Sequence, residues 1–273
     1  MAIDPGAQVP RFAIVIPARY ASTRYPGKPL VGLRGASGVA RPLIERSWRT
    51  ACQVSGAVGV WVATDDDRIA DCVRGFGGQV VMTSPDCRNG TERCAEAMAG
   101  LPPVDIIVNV QGDAPLTPAH LIPDLAAALA GAPDAGMATA ALRCSASTYA
   151  HLARDVAEGR VGGTTVVTAA DGRALYFSKR LVPYIPDGLA NPHEGLKLHL
   201  GLYAYRPAAL TEYAARAPSV LEALEGLEQL RFLENSAPVL VVTHDPVGWD
   251  CIELNNPQDV PAIEAILAAR GID

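Results

Sequence analysis

The sequence predicts an α/β protein with a doubly wound, mostly parallel sheet. Short β-rich runs alternate with helical patterns through the first half of the chain, and crossovers of that length join parallel strands. Polar loops follow several of the runs, and ligands bind such sheets at the carboxyl ends of the strands. The predicted elements of this half are 12–16, 43–54, 58–63, 67–76, 80–82, 91–99, 106–110 and 119–129.

The second half of the sequence has a different pattern. From about residue 136 the apolar runs are interleaved with Gly, Pro and Asp turns, which predicts a mixed, partly antiparallel extension to the sheet. No Gly-, Ser- or Pro-rich linker divides the chain, so residues 1–273 are expected to form a single domain. The predicted elements are strands at 137–142, 164–168, 174–177 and 198–205, a helix at 221–234, and a final strand and helix at 239–242 and 258–269.

Composition excludes several functional classes. The 23 basic and 29 acidic residues give a net charge of −6, so no general attraction to nucleic acid or to an anionic membrane is expected. The first residues do not resemble a signal peptide and no run is long and apolar enough to span a bilayer, which predicts a cytoplasmic location. The six cysteines are scattered and the five histidines have no zinc-ligand spacing, so neither disulfides nor a zinc site is expected.

The loop after the first predicted strand carries the strongest functional signal. Arg19, Ser22, Arg24 and Lys28 follow the apolar run at 12–16 within ten residues. Phosphate oxygens need charge-assisted donors at fixed positions, so this pattern indicates a polyphosphate site and a nucleoside-triphosphate enzyme. The alternative is a solvated basic loop. Because a proline follows the lysine, the loop is not a Walker A element.

Two further polar turns are candidates for the same edge of the sheet. Asp113 follows the run at 106–110, and a carboxylate there is well placed to hold Mg²⁺, although a plain turn aspartate is the alternative. Asn89 and Gly90 open the helix predicted at 91–99, where they could contact a nucleotide base or form a simple capping box.

The later elements also carry polar and aromatic residues whose roles need to be weighed. His199 and Tyr203 share one face of an alternating strand, where a buried structural histidine is the more common role and substrate contact is the alternative. Glu228 and Gln229 fall on the helix predicted at 221–234, whose leucine stripe would leave them on a solvated face.

Several short motifs occur in a fixed order from residue 12 to the end of the chain. They are Ala18-Arg19-x-x-Ser22-x-Arg24-x-Pro26-Gly27-Lys28, Ala63-Thr64-Asp65, Gly90-Thr91-Glu92-Arg93, Val110-Gln111-Gly112-Asp113, Ala174-Leu175-Tyr176-Phe177-Ser178, His199-Leu200-Gly201-Leu202-Tyr203 and Leu227-Glu228-Gln229-Leu230-Arg231. In content and order they resemble the motifs of the 3-deoxy-manno-octulosonate cytidylyltransferase family, the CMP-Kdo synthetases.

The resemblance implies a Rossmann-like nucleotidyltransferase fold and a homodimeric cytoplasmic enzyme of lipopolysaccharide or capsule synthesis. It implies that CTP and a 2-keto-3-deoxy sugar acid react, with Mg²⁺, to give the CMP-sugar and pyrophosphate. The segment 137–215 would carry acceptor binding and dimerisation. Carried over by position, Arg19, Ser22, Arg24 and Lys28 would hold the triphosphate, Asp113 the metal, and Gln111 the nucleotide or the acceptor, while His199, Tyr203, Glu228 and Gln229 would line the acceptor pocket.

This sequence departs from the family pattern at several places. Ala114 replaces an acidic residue, and 162–165 lacks the lysine of the family's Asn-x-Val-Lys element. Asn255 stands where the family has a second metal-binding aspartate; its amide oxygen is still a hard donor for Mg²⁺. Asp250 is the alternative ligand, and Asn255 is favoured because 251–254 is expected to be a strand that ends near Asp113.

The expected reaction is attack by an acceptor oxygen on the α-phosphorus of CTP, in line with departing pyrophosphate, with Arg19, Lys28 and Asp113 as catalytic residues. No general base stands out in the sequence. Two other functions remain open: cytidylyl transfer to a different acidic sugar or a phosphonate, and nucleotide binding without catalysis.

Overall fold

In a computed structural model of the chain, which describes residues 10–21 and 25–273, the predicted α/β fold is confirmed. The main sheet has the strand order β11-β7-β10-β6-β1-β4-β5, with β8 paired to β10 and β9 paired to β8, and a separate small sheet joins β2 to β3. The strands are β1 (Phe12–Ala18), β2 (Gly32–Arg34), β3 (Ala40–Pro42), β4 (Ala57–Thr64), β5 (Gln79–Met82), β6 (Ile106–Val110), β7 (Met137–Arg143), β8 (Thr164–Thr168), β9 (Ala174–Ser178), β10 (Lys197–Tyr205) and β11 (Val239–His244).

One antiparallel strand joins two parallel blocks of this sheet. β6, β1, β4 and β5 run parallel to one another, as do β7 and β11. β10 lies between β6 and β7 and is antiparallel to both. β7 and β10 therefore belong to the main sheet, and within the segment 137–215 only β8 and β9 lie off its main path. Acceptor binding and dimerisation by that segment stay predictions.

Helices cover both faces of the sheet, as a doubly wound fold requires. One core packs α1, α2 and α4 against β1 and β6, and the other packs α3, α6 and α8 against the opposite face. None of the helices in residues 10–21 and 25–273 has the length and apolar character needed to cross a bilayer. The helices are α1 (Leu43–Cys52), α2 (Asp67–Gly75), α3 (Gly90–Ala97), α4 (Leu121–Ala130), α5 (Ala146–Ala157), α6 (Pro207–Ala215), α7 (Val220–Glu225), α8 (Leu230–Glu234) and α9 (Val260–Ala269).

The prediction of one continuous helix over 221–234 is wrong, because the chain forms two short helices there, α7 and α8. α7 ends at Gly226, whose φ of 61° is left-handed and stops the helix. Leu224, expected in the buried stripe, is 79% exposed. Glu228 and Gln229 lie in the break between α7 and α8 rather than on a solvated helix face. The strand predicted over 251–254 is also absent from the described chain, which has no regular secondary structure at those residues.

A buried ion cluster ties the break to α3. The Arg231 side chain is 1% exposed, and its guanidinium lies 2.6 Å from Glu222 and 2.9 Å from Glu92. Burial by itself would raise the pKa of Glu92, but hydrogen bonds from Arg88 and Arg231 lower it overall, so the carboxylate is held in its charged form. A charge this deeply buried is tolerated because it has two carboxylate partners.

We expect Arg231→Gln to lower the free energy of unfolding by about 3–5 kcal/mol, because it leaves buried carboxylates without their cation. Arg88→Gln is the matched control: Arg88 pairs with the same Glu92 but is 54% exposed, and its loss should cost under about 1 kcal/mol. Urea unfolding at neutral pH measures both. Equal, small effects of the two substitutions would contradict a structural role for the buried cluster.

Candidate active site

A cavity of about 560 Å³ lies where the carboxyl ends of β1 and β6 meet the first half of β10. We call it the strand-end cavity. The antiparallel direction of β10 brings residues 199–203 to the same edge of the sheet as the loops after β1 and β6. The predicted site residues that line the cavity are Arg19, Lys28, Asn89, Gly90, Gln111, Asp113, His199, Tyr203, Glu228, Gln229 and Asn255. Ser22 and Arg24, also predicted, lie outside the described residues.

The basic loop is turned back toward the sheet at Gly27. This residue has a φ of 72°, and its N–H donates to the Tyr20 carbonyl over 2.9 Å. The turn places the Lys28 Nζ 2.6 Å from the Asp113 Oδ2, with the two side chains 13% and 25% exposed. Arg19 is exposed at the mouth of the cavity. The lysine of the first loop and the carboxylate of the second therefore form an ion pair at the cavity wall.

Hard oxygen donors gather beside this ion pair. The Leu254 N–H donates to the Asp113 carbonyl over 2.8 Å, which fixes the C-terminal segment against the loop after β6. Asn255 and Glu253 both line the strand-end cavity. Although 251–254 is not a strand, the segment reaches the predicted place beside Asp113.

Asp250, the alternative metal ligand, lies elsewhere. It accepts a hydrogen bond of 2.9 Å from the Thr148 hydroxyl and lines a different cavity, of about 300 Å³. Within residues 10–21 and 25–273, no group of three or more His, Cys, Asp or Glu side chains is arranged to hold a metal by itself.

Asn89 caps α3 with its side chain, while the Glu92 carboxylate accepts the Arg88 N–H rather than the Asn89 N–H that a capping box would use. Asn89 Oδ1 accepts the Glu92 N–H over 2.9 Å, and the Asn89 amide donates to the Tyr213 hydroxyl over 2.8 Å. A Cβ at Gly90 would lie 2.6 Å from the Gln111 Nε2, so a side chain at this position would make the Gln111 amide shift. Contact of Asn89 and Gly90 with a nucleotide stays a prediction.

His199 and Tyr203 lie together on β10, with ring centroids 5.3 Å apart. Burial lowers the pKa of His199 to about 3, so the imidazole is neutral at physiological pH. The Thr139 hydroxyl donates to the Leu202 carbonyl over 2.8 Å and must therefore accept from the His199 Nε2, 2.9 Å away. This assigns the proton of the neutral ring to Nε2 and leaves Nδ1 with a lone pair.

Glu228 and Gln229 are part of the cavity wall. Glu228 bonds to Thr91 and Gln111, and burial raises the pKa of its carboxyl. Gln229 is 0% exposed, and its amide oxygen and nitrogen have no hydrogen-bond partner within the described part of the chain. An unpaired buried amide is costly, so Gln229 is suited to a partner that the protein itself does not supply.

Sequence reasoning missed several residues of this region. Glu253 lines the strand-end cavity, and no motif pointed to it. Asn109 is fully buried in β6, and neither polar atom of its side chain has a partner within residues 10–21 and 25–273. A signal for Asn109 was present, since it is the one polar residue in the apolar run 106–110.

Comparisons with known proteins agree with this geometry. A sequence model of the cytidylyltransferase family matches residues 13–240. A 3-deoxy-manno-octulosonate cytidylyltransferase of Maricaulis maris is 45% identical over 260 residues, covering 94% of this chain and 97% of the relative. The enzyme of the same name from Myxococcus xanthus is 42% identical over 265 residues, covering 96% and 98%.

Solved structures give the same result. The structure of a CMP:2-keto-3-deoxy-manno-octonic acid synthetase complexed with CTP superposes with a TM-score of 0.79 at 32% identity, covering 95% of this chain and 99% of the other. A 4-diphosphocytidyl-2C-methyl-D-erythritol synthase from Anaerococcus prevotii, at 16% identity and a TM-score of 0.56, shares the fold alone. With identities of this size over nearly the whole chain, the protein belongs to the 3-deoxy-manno-octulosonate cytidylyltransferase family.

Proposed function

We propose that this enzyme transfers CMP from CTP to 3-deoxy-manno-octulosonate (Kdo) and releases pyrophosphate. The names of its relatives and the CTP complex of its structural neighbour support both substrates. The observation that carries the proposal is the strand-end cavity, where Lys28, Asp113 and the unpartnered amide of Gln229 line one space. Such a transfer needs three kinds of group: a cation to bind phosphates, a carboxylate to bind a metal, and a polar group to bind the second substrate.

Lys28 and Arg19 would bind the triphosphate, together with Ser22 and Arg24 of the same loop. An oxygen of the acceptor attacks the α-phosphorus, the bond between that phosphorus and the bridging oxygen of the β-phosphate breaks, and pyrophosphate leaves. Negative charge grows on the leaving group, and we propose that the Lys28 ammonium, which lines the strand-end cavity beside Asp113, offsets it. The protein therefore acts by positioning and charge neutralisation.

The donor set beside Lys28 fits Mg²⁺. Asp113 offers a carboxylate that is already paired with a cationic group, and Asn255 lines the same cavity with a neutral amide oxygen. We propose these two residues as the metal ligands. When bound, Mg²⁺ would neutralise phosphate charge and orient the triphosphate.

The acceptor would lie against β10 and the break between α7 and α8. We propose His199, Tyr203, Gln229 and Gln111 as its contacts, with Glu228 behind them. The neutral His199 ring suits a hydroxyl better than a carboxylate, because its free Nδ1 accepts a hydrogen bond.

A different acidic acceptor is the second candidate, and one feature favours it. Gly163 and Thr164 line the strand-end cavity within the segment 162–165, which departs from the family pattern. The cavity wall that would contact the acceptor therefore differs from the family pattern at a position that can change which acceptor is bound.

We also propose that the enzyme is a cytoplasmic homodimer. The segment 137–215 exposes apolar side chains, with Leu175 62%, Tyr184 84% and Leu189 52% exposed. Exposed apolar surface of this kind is typical of protein interfaces, and it supports the expected role of this segment in dimerisation.

Turnover with CTP, Mg²⁺ and a panel of acidic sugars, followed by pyrophosphate release, tests the proposed reaction. We expect Kdo to be the best acceptor. We expect Lys28→Met to reduce kcat/KM about 100-fold or more, because the substitution removes the positive charge that would offset the negative charge growing on the leaving pyrophosphate. Arg34→Met, at an exposed arginine outside the cavity, is the control. CTP binding without turnover of any panel member would contradict catalysis, and faster turnover of another acid would identify the second candidate.

Metal affinity tests the proposed ligands. We expect Asn255→Asp to tighten Mn²⁺ binding about tenfold, because it adds a negative charge to the donor set, and Asp113→Asn to weaken it by a similar factor. The free Mn²⁺ signal in electron paramagnetic resonance reports affinity without any turnover. Asp250→Asn is the control and should leave affinity unchanged, since Asp250 bonds to Thr148 in another cavity. Loss of Mn²⁺ on Asp250→Asn, with Asn255→Ala unaffected, would reverse the assignment.

The protonation state of His199 is measurable by NMR. We expect the ring resonance that disappears in His199→Asn to show no titration between pH 5 and 8, because burial lowers the pKa of this imidazole to about 3. The unfolded chain takes up a proton near pH 6.5 and the folded chain does not, so this histidine makes the protein less stable as pH falls below 6.5. Wild type should accordingly lose more stability than His199→Asn between pH 7 and 5. A His199 resonance that titrates between pH 5 and 8, with equal losses of stability in wild type and His199→Asn, would contradict a buried, neutral ring.

A further inference from the structure

The Glu228 carboxylate joins two parts of the cavity wall. Its Oε2 accepts the Thr91 N–H at the start of α3 over 2.7 Å, and its Oε1 accepts from the Gln111 Nε2 over 2.9 Å. The N-terminus of a helix favours negative charge, which offsets part of the cost of burying this carboxylate. Both oxygens of Glu228 are thus used inside the protein.

The Gln111 side chain also packs closely against the backbone of two glycines, Gly90 and Gly201. A Cβ at Gly90 would lie 2.6 Å from the Gln111 Nε2, and a Cβ at Gly201 would lie 2.9 Å from its Cγ. The Gln111 backbone N–H also donates to the Gly201 carbonyl over 3.0 Å. Any side chain at either glycine would displace Gln111, so the wall leaves this glutamine little freedom.

A primary amide can rotate to exchange its donor and acceptor ends, and the partner at one end decides which way it lies. Because the Glu228 Oε2 already accepts the Thr91 N–H and its Oε1 accepts from the Gln111 Nε2, Glu228 engages the amide nitrogen of Gln111 and leaves the oxygen, Oε1, as the other end. Gln111 lines the strand-end cavity.

We propose that Glu228 is a positioning residue that fixes the orientation of the Gln111 amide, so that Gln111 offers substrate a hydrogen-bond acceptor, its Oε1, for a sugar hydroxyl. The inference rests on the proposed function, and it revises the expectation that Glu228 itself binds the acceptor. The hydroxyl belongs either to the ribose of CTP or to the sugar acid, and both sources present the same chemistry.

A double-mutant cycle tests this assignment. Glu228→Gln keeps the shape of the side chain but can donate as well as accept, so it no longer selects one orientation of Gln111. We expect Glu228→Gln to lower kcat/KM about tenfold in wild type and less than about twofold in the Gln111→Ala background, because Glu228 acts through Gln111. Independent, multiplying losses would overturn the proposal and would indicate direct contact between Glu228 and substrate.

Deoxy analogues identify the hydroxyl. If the ribose is the source, 2′- or 3′-deoxy-CTP loses affinity with wild type but not with Gln111→Ala; if the sugar acid is the source, a deoxy form of the acceptor shows this pattern. If wild type and Gln111→Ala lose the same affinity with every deoxy analogue, no substrate hydroxyl donates a hydrogen bond to Gln111, which would contradict the proposal. The acceptor arm uses Kdo or whichever acid of the panel turns over, so failure of the Kdo assignment and failure of this inference are distinguishable.

Two further variants separate positioning from folding. Gly90→Ala leaves Glu228 in place but pushes on the Gln111 amide, and it should reproduce the selective loss seen with Gln111→Ala. Glu225→Gln changes a neighbouring carboxylate outside the strand-end cavity, where it accepts from the Ser178 hydroxyl over 2.8 Å, and should leave kcat/KM within about twofold of wild type. Thermal unfolding confirms that each variant is folded. Wild-type activity of Gly90→Ala would also contradict the proposal.

Discussion

The active-site architecture depends on the direction of one strand. β10 runs antiparallel between β6 and β7, so its first half lies beside the carboxyl ends of strands that run the other way. His199, Gly201 and Tyr203 thereby reach the edge where the loops after β1 and β6 end. A parallel strand in this position would present those residues at the opposite edge. The antiparallel direction of β10 therefore brings the proposed nucleotide-binding residues and the proposed acceptor-binding residues to one cavity.

Two carboxylates in the cavity wall have partners within the protein. Lys28 pairs with Asp113, and Glu228 is stabilised by the start of α3. Binding of a triphosphate with a divalent cation would replace the first pair by two stronger ones, lysine with phosphate and carboxylate with metal. Binding of the two ligands is thus expected to be coupled, because each takes one partner of the same ion pair. Glu228, whose bonds go to protein groups, can keep its place throughout.

The sequence predicted the sheet edge well because strand patterns are local and their carboxyl ends meet in every doubly wound sheet. Lys28 and Asp113 are 85 residues apart in the chain, and that rule alone brought them together. The pattern over 221–234 misled because its leucines have helical spacing, whereas Gly226 adopts a left-handed conformation and ends the helix. The place of Glu228 and Gln229 in the cavity wall then follows from tertiary packing, which no local pattern encodes. Glu253 was missed for the same reason, since only the fold brings its irregular segment to the cavity.

If Lys28 holds the triphosphate of CTP and Asp113 holds its cation, as proposed, the two side chains must separate when CTP binds in the strand-end cavity. A crystal structure of the protein with CTP and Mg²⁺, without acceptor, tests it most directly. The triphosphate should lie against Lys28, with the ammonium farther from the Asp113 carboxylate than the 2.6 Å of the ion pair described above. A second cavity, lined in part by Arg206, lies apart from these residues. Nucleotide bound there, or an intact Lys28–Asp113 ion pair beside a bound triphosphate, would contradict this proposal.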